Sequence, residues 1–383
     1  MSHTIRSVEV IPVRIPVTRR FTFASGSAGK PGEGAPLVFA KMTDSAGRTG
    51  WGEGRPVPAW SYETIESVTT TIRGYLGPAV RGTRVGDLDG LHRCMHAAIG
   101  RGPSMGMPIA KAVVDLAAHD LAARAAGKPL RVFLGGRPGP AAVALSYTVT
   151  AHTPREAAED VRAARAVGYR HFNFKAAVDP RTDVAVAKAV RGEAGPTAFV
   201  WADANQGFTL AGARRAARGF ARAGVNLLEQ PLPADRIDLH RALHRGCPIP
   251  LAVDEASVSP GDFLHYATGG LVRYLIVKVT RSGGLHPSRA QLAMARRARL
   301  PFLVSGLTDG LLTKVAACQL AVAHGSRGPA ALNGSQFMDE SMLYPDKRII
   351  EHGGQVHLPA GPGIGVRPDE RALRRLLVRG LAS

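Results

Sequence analysis

Cysteine and acidic side chains are scarce in this chain, and long apolar runs are missing altogether. The three cysteines, Cys94, Cys247 and Cys318, lie far apart and form no CxxC. That spacing argues against a disulfide framework and a structural zinc site, and leaves buried, inert thiols as the expectation. No apolar run approaches the roughly 20 residues that cross a bilayer. The opening stretch MSHTIRSVEVIPVRIPV scatters Arg and Glu among its apolar positions and so lacks the core of a signal peptide. A cytoplasmic protein with no membrane partner is expected. Hydrophobic content of 45% without a low-complexity tract describes a globular chain rather than a disordered one. At 383 residues it exceeds one ordinary domain, so a large barrel plus a second element is the natural expectation.

The shortage of acids leaves a formal charge of +19, which raises the question of nucleic acid. Arginine outnumbers lysine about four to one and is spread along the chain. Many arginines fall on the polar faces of predicted helices, as in ARRAARGFARAG (213–224) and MARRARL (294–300). No helix-turn-helix, zinc-finger or RNA-recognition pattern accompanies them. Solvated helix faces, and no nucleic-acid partner, are the reading. The positive field would still favour an acidic small-molecule substrate.

Residues 1–135 read as mixed α+β. Alternating apolar runs at SVEVIPVRI (7–15) and PLVFAKMTD (36–44) predict paired strands. The Gly-, Ser-, Thr- and Pro-rich stretch 17–35 between them predicts a mobile surface loop. Helical periodicity follows over 61–76 and 108–127, the latter stopped by Gly127 and Pro129. From about 142 to 335, short apolar runs alternate with amphipathic helices. The predicted strands are ALSYTVT (144–150), HFNFKAA (171–177), AFVWADAN (198–205), VNLLEQP (225–231), PLAVDEA (250–256), YLIVKVT (274–280), PFLVSGL (301–307) and AALNGS (330–335). Eight such units predict a (β/α)₈ TIM-type barrel over 136–340 rather than an open sheet. The segment 341–383, with a strand-like run at 353–360 and a basic tail helix, is predicted to rejoin the first domain.

Five consecutive predicted strands each end in one ionisable residue: Lys175, Asp203, Glu229, Asp254 and Lys278, at steps of 28, 26, 25 and 24 residues. An isolated Asp or Lys at a strand end is usually a turn or solubility residue. Five at one structural phase are not, because the C-terminal strand ends of a barrel share one rim. Three hard carboxylates with no His or Cys among them suit Mg²⁺. Without a cation they would repel one another and raise each other's pKa values. The two lysines flank them, one proton carrier for each face of a carbon acid.

NFKAAV (173–178), WADANQGF (201–208), LLEQPLP (227–233), AVDEASVS (252–259) and VKVTRSGGL (277–285) resemble, in order, the strand motifs of the muconate-lactonizing-enzyme subgroup of the enolase superfamily. GKPLRVFLGG (127–136) resembles that family's lead-in to the barrel. The resemblance implies an N-terminal α+β capping domain completed by the C-terminal segment, and a homo-oligomer. It also implies Mg²⁺, with Mn²⁺ as a substitute, on Asp203, Glu229 and Asp254. Lys175 and Lys278 match the acid/base pair, Asn205 an outer position, and Gly283 and Gly284 the pair after the sixth strand. The implied reaction is removal of the proton beside a carboxylate to give a metal-stabilised enolate, by a racemase, epimerase or cycloisomerase. A lyase performing β-elimination on a hydroxy acid or hydroxy-amino acid is the alternative, and a non-catalytic barrel that binds nucleic acid a remote one.

The chain departs from the family pattern in two places. Asn173 stands where the family usually has the first lysine of Lys-x-Lys, so no neighbouring ammonium helps acidify Lys175. Asp309 stands where a Glu is common, as an orienter of Lys278, a substrate contact or a plain loop residue. AALNGS lacks the Asp-x-Asp with which dipeptide epimerases hold an ammonium, and no His between 301 and 312 matches a sugar-acid dehydratase. The 17–35 loop and RPVPAWSYET (55–64) resemble the cap loops that close over such sites. Trp60 is either a wall for substrate or cap packing; Arg19, Arg20 and Lys30 are lid cations or solvated charges. His119 reads as structural.

Overall fold

A computed structural model describes residues 3–24, 26–102, 104–326 and 328–381. The chain opens with a three-stranded antiparallel meander of Ile5–Pro16, Gly34–Asp44 and Thr49–Gly54. In the third strand, T-G-W-G-E-G, period-2 alternation puts glycines on one face and Trp51 and Glu53 on the other. The glycine face receives the helix Pro108–Ala125. A Cβ at Gly52 would lie 1.9 Å from the Val113 carbonyl oxygen, and one at Gly50 2.3 Å from that of Ala117. Backbone therefore lies directly on backbone, and residues 109–123 of the helix are buried on every side, Lys111, Asp115, His119 and Asp120 among them.

The stretch 17–35 contains more order than its composition suggests. Phe21–Phe23 pairs with Gly26–Ala28 in a short hairpin, and Phe21 and Phe23 are buried. Aromatic burial ties this part of the segment down, which corrects the expectation of a mobile surface loop. The helix expected over 61–76 starts only at Ile65, where Thr64 and Ser67 form a reciprocal cap, and it passes into a π turn at Ile72–Leu76. Residues 58–61 form a separate helical turn ending at Tyr62, whose φ is 68°.

Seven parallel strands follow in sequential order: Ser146–Val149, His171–Lys175, Val200–Asp203, Leu227–Glu229, Leu251–Val253, Tyr274–Lys278 and Phe302–Ser305. The ring closes through two residues. Ala330 bridges to Leu145 and Ala331 to Ser305; Ser146 N donates to Ala330 O at 2.8 Å and Ala331 N to Val304 O at 2.9 Å. The eighth stave expected at 330–335 is this short because the chain turns into a 3₁₀ helix at Gly334–Gln336. Trp201, Leu227, Ala252, Ile276, Leu303 and Ala331 fill the barrel interior, so the barrel is a packed core with its polar groups at one rim.

The expected first strand is split. Ala142–Ala144 leaves the barrel and pairs with Gln355–His357, itself paired with Glu351–His352. Beyond that hairpin the chain touches the first domain: Leu130 N donates to Gly363 O at 2.7 Å, Val13 bridges Leu377, and Lys41 Nζ lies 2.7 Å from Glu370 Oε2. Among the described residues no helix is long and apolar enough to cross a membrane. The cysteines are free thiols; Cys318 is buried, whereas Cys94 and Cys247 are only half-buried.

Two buried polar junctions join the cap to the barrel. In the first, Asp115 of the long cap helix accepts from Leu285 N at 2.5 Å and His286 N at 3.3 Å, capping a barrel helix, and from His92 Nε2 at 2.7 Å. Burial opposes its ionisation, but His119 and His92 hold the carboxyl well below its usual range. Gly284 makes room: its φ is 119°, and a Cβ there would lie 2.2 Å from Asp115 Cγ. Gly284→Ala is therefore expected to cost at least about 2 kcal/mol, from a backbone region closed to side chains and a collision with a buried carboxylate. Urea unfolding measures this; a loss under half that size would show the junction to be compliant.

In the second junction Glu53, Glu340 and Asp309 are fully buried near one another, with Tyr344 Oη donating to Glu53 Oε2 at 3.1 Å. Burial, then Glu340 and Asp309, push the Glu53 carboxyl up to about 8. The folded state keeps a proton there that the unfolded chain releases near 4.5. Stability from this group is therefore fully present below pH 4.5 and falls as pH rises toward 8, by up to about 1.4 kcal/mol per pH unit. Glu53→Gln should flatten that fall in pH-dependent melting curves; an unchanged profile would show that Glu53 ionises normally.

Candidate active site

The parallel register brings the five strand-end residues to one rim. Lys175 lies opposite Asp203, Asp203 opposite Glu229, and Lys278 opposite Ser305. Lys175 Nζ donates to Asp203 Oδ2 at 2.5 Å and to Asn205 Oδ1 at 2.9 Å. Lys278 Nζ donates to Asp254 Oδ2. Glu229 stands between these pairs in sequence order, with Oε1 buried and without a hydrogen-bond partner among the described residues. Backbone turns with positive φ at Asn205, Gln206 and Gln230 set the rim. Gln230 Oε1 accepts from Asp254 N at 2.9 Å and Ala256 N at 3.1 Å, fixing the fifth strand's end against the fourth.

The two expected outer asparagines behave differently. Asn205 holds Lys175 and passes its amide to Glu255 Oε1 at 3.1 Å. Asn173 turns the other way, accepting from Ser146 Oγ at 3.0 Å and Thr148 Oγ1 at 3.2 Å. Asp309 accepts from Thr280 Oγ1 at 3.1 Å and Leu307 N at 2.9 Å, so it braces the loop behind Lys278.

Charge is concentrated here under almost complete burial. Burial, then Asp203 and Asp254, push the Glu229 carboxyl well above its ordinary range. Burial also opposes the charge on Asp254, but Arg281, Lys278 and Lys175 outweigh it and hold that carboxyl low. Burial would likewise lower Lys278; Asp254 wins and keeps it an ammonium. Glu255 is pushed up to about 7 by burial and Asp254.

Trp60 forms the roof. Its ring centre lies 5.5 Å from Lys175 Nζ, 4.8 Å from Lys278 Nζ and 5.9 Å from Arg281 Cζ. The indole stacks on Phe21 at 5.4 Å and Phe23 at 5.2 Å, and Phe21 itself lies 5.0 Å from Lys175 Nζ. So Trp60 combines cap packing with the wall over the lysines. Of the lid cations, Arg19 is spent on Asp160 at 2.8 Å, and Lys30 on Glu33 at 3.4 Å. His119 is buried on the Asp115 side of the cap helix.

The donor chemistry fits a hard divalent cation: three carboxylates from adjacent strands, with buried oxygens of Glu229 and Asp254 lacking hydrogen-bond partners. Among the described residues, however, no three such side chains are already arranged as a coordination shell. Asp203 and Asp254 each turn one oxygen, Oδ2, to an ammonium group instead.

The comparisons match the chain from end to end. The family model for the N-terminal domain of mandelate racemase/muconate lactonizing enzymes matches residues 6–135, and that for enolase C-terminal domain-like proteins matches 156–372. Muconate cycloisomerase 1 of Rhodococcus opacus is 31% identical over 97% of this chain and 98% of its own length. The chain belongs to the muconate-lactonizing-enzyme subgroup of the enolase superfamily. It is an enzyme of that isomerase-containing subgroup. Its fold is shared with a muconate lactonizing enzyme from Pseudomonas fluorescens solved with muconolactone (TM-score 0.88, 23% identity, 98% of this chain and all of that one). It is shared too with a dipeptide epimerase from Cytophaga hutchinsonii solved with Mg and a dipeptide (TM-score 0.87, 22% identity, 97% and 98%).

Sequence reasoning missed several residues of this enzyme's site. Phe21 and Phe23 sat in a stretch judged by its glycines, though F-T-F already alternates. Glu255 and Arg281 lie inside AVDEASVS and VKVTRSGGL, whose signal is carried by Asp254 and Lys278. Arg281 was detectable only by noticing that it follows Lys278 by three residues on the same rim.

Because burial, and then two like charges, oppose the ionisation of Glu229, Glu229→Gln should stabilise the protein in EDTA. The same change should abolish the rise in melting temperature that Mg²⁺ gives the wild type. A variant that melts lower in EDTA, or still responds fully to Mg²⁺, would contradict this account of the three carboxylates.

Proposed function

We propose that this enzyme is an Mg²⁺-dependent isomerase that moves the proton on the carbon beside a substrate carboxylate, as a racemase, epimerase or cycloisomerase. One observation carries the reading: two buried lysines flank three buried carboxylates at the mouth of a barrel roofed by aromatic rings. Asp203, Glu229 and Asp254 would hold the cation, with Mn²⁺ a plausible substitute on the same oxygen donors. When bound, it supplies positive charge beside the substrate carboxylate and so acidifies the neighbouring carbon.

The chain's own residues do the rest. If Asp203 and Asp254 turned to a cation, Lys175 would keep Asn205 as its acceptor and Lys278 would lose Asp254. Burial and Arg281 would then oppose the charge on Lys278 and favour the neutral amine a base requires. Asn205 keeps a neutral acceptor on Lys175 throughout, orienting it without adding charge. Phe21, Phe23 and Trp60 exclude water and present an apolar wall to the part of the substrate beyond the reacting carbon. The wall offers no carboxylate to a substrate ammonium, and the eighth stave, 330–335, supplies none. Neutral acyl, alkenyl or aryl groups suit it better than a free amino group.

In D₂O the enzyme should exchange the proton next to the carboxylate of its substrate, since a lysine ammonium trades protons with solvent between turnovers. Lys175→Ala and Lys278→Ala should each lower turnover by roughly 10²–10⁴-fold. In a racemase, each should abolish exchange from one stereoisomer while sparing some from the other, as NMR of the two enantiomers reads directly. Dependence on one lysine alone would favour cycloisomerisation or β-elimination. An absence of exchange from every carboxylate the enzyme converts would remove proton transfer at carbon from its chemistry.

A further inference from the structure

The outer wall of the barrel carries a groove that takes no part in the site at its mouth. It lies between the helices Pro180–Ala194 and Leu210–Arg222, has a volume of about 670 Å³, and is lined by Arg181, Arg215, Arg218 and Arg222. Val184 and Gly219 line it too, and a Cβ at Gly219 would lie 2.2 Å from Val184 Cγ2. The helices therefore touch where Gly219 leaves no side chain between them, and the groove opens over that contact.

All four arginines are exposed, and none makes an ion pair or a side-chain hydrogen bond among the described residues. Asp179, the one carboxylate among the lining residues, is near Arg181 without pairing with its guanidinium. Its Oδ2 accepts from Arg181 N at 3.0 Å and Thr182 N at 3.1 Å instead, and so caps the helix. The helix Leu210–Arg222 contains no acid. Arg218 stands three residues after Arg215 and four before Arg222, spacings at which like charges repel along a helix. On the neighbouring outer helix, Pro154–Ala166, arginines are paired: Arg155 with Glu159 at 3.0 Å and Arg162 with Glu193 at 2.6 Å. The row in the groove works against the stability of the fold rather than for it.

Positive charge alone does not make a site. The helix Leu285–Arg297 is also without acid and carries Arg289, Arg296 and Arg297. The groove differs in gathering four guanidinium groups from two helices around one concave space, where low-dielectric walls focus their field. Seven residues separate Arg215 from Arg222, roughly 10 Å along the helix axis. A single small anion cannot engage groups spread over that length, whereas linked phosphates can. The planar guanidinium fork also matches phosphate oxygens two at a time.

We propose that this groove binds an oligophosphate, whose linked phosphates lie along the arginine row. A space of this size also admits a group attached to the phosphates. Free oligophosphate and a nucleoside triphosphate share that chemistry, and experiment separates them. The proposal is independent of the reaction at the barrel mouth.

The test is calorimetric titration of the full chain with tripolyphosphate, ATP and citrate, in metal-free buffer at about 0.15 M salt. Tripolyphosphate should bind at one site, about tenfold or more tighter than citrate, which offers charge without phosphate geometry. An ATP affinity above that of tripolyphosphate would identify a nucleotide as the ligand, and one below it the free oligophosphate; either supports the site. Arg218→Glu should weaken tripolyphosphate by about tenfold or more, and Arg218→Gln by a smaller factor in the same direction. Arg218→Glu should melt no lower than wild type, because it relieves repulsion along the helix. Arg289→Glu, the same change of charge on the other basic helix, should leave binding within about twofold, as should Lys278→Met at the barrel mouth. Tripolyphosphate no tighter than citrate, or binding that survives in Arg218→Glu, would overturn the proposal. So would an equal loss in Arg289→Glu, which would reduce the effect to net charge, or a loss in Lys278→Met, which would place the phosphates at the barrel mouth. A DNA duplex that binds more tightly than tripolyphosphate and loses its affinity in Arg218→Glu would overturn it as well, by making the row a nucleic-acid surface.

Discussion

The rest of the site depends on one electrostatic constraint: three carboxylates that a parallel barrel forces onto adjacent strand ends and then buries. Their mutual repulsion in a poorly solvated rim has to be relieved by protonation or by cations. In the structure the relief comes from Lys175 on Asp203 and Lys278 on Asp254, which leaves Glu229 as the group driven toward its neutral form. The carboxylates' need for cations and the lysines' need for anions satisfy each other. A divalent ion competing for the same oxygens would therefore act on the lysines without touching them. On the proposed reading, the charge state of the two lysines and the occupancy of the cation site would be one equilibrium.

That constraint explains what the cap must do. Charges interacting across a water-filled rim would be screened, and the coupling would be weak. Phe21, Phe23 and Trp60 exclude solvent from above, while the cap is held in register by buried polar junctions some distance away. Asp115 fixes the long cap helix to the start of a barrel helix, and Glu53 meets Asp309 and Glu340 near the seventh strand. Asp309 faces both ways: it belongs to the Glu53 cluster, and it braces Thr280 in the turn that carries Lys278 and Arg281. The position of the cap and the position of the sixth-strand turn are thus set by a shared group.

The strand ends were legible because barrel geometry converts a sequence spacing into a spatial one. A residue every 24 to 28 positions, always at the end of an apolar run, can only mean one rim. What stayed hidden was anything decided by side-chain direction or by partners remote in sequence. Nothing in the spacing told that Asn173 turns to Ser146 and Thr148 while Asn205 turns to Lys175. The eighth strand had the right place but not the right length, since two bridging residues close the ring when the following glycine begins a turn. The hairpin at 21–28 was obscured because glycine and serine dominate its composition, whereas its fold is decided by two phenylalanines that bury against Trp60.

The loss of the usual lysine at position 173 takes its meaning from the same electrostatics. A second ammonium beside Lys175 would push it toward neutrality by repulsion, whatever occupies the carboxylates. Asn173 instead accepts from Ser146 and Thr148 and is closed to Lys175. The neighbours that remain to Lys175 are Asp203, the amide oxygen of Asn205, and the faces of Phe21 and Trp60. Nothing on its own strand works against the charge. Lys278, by contrast, has the cation Arg281 nearby. The two lysines therefore differ in their surroundings before any substrate arrives: an amide oxygen and the face of Phe21 lie beside Lys175, a guanidinium near Lys278.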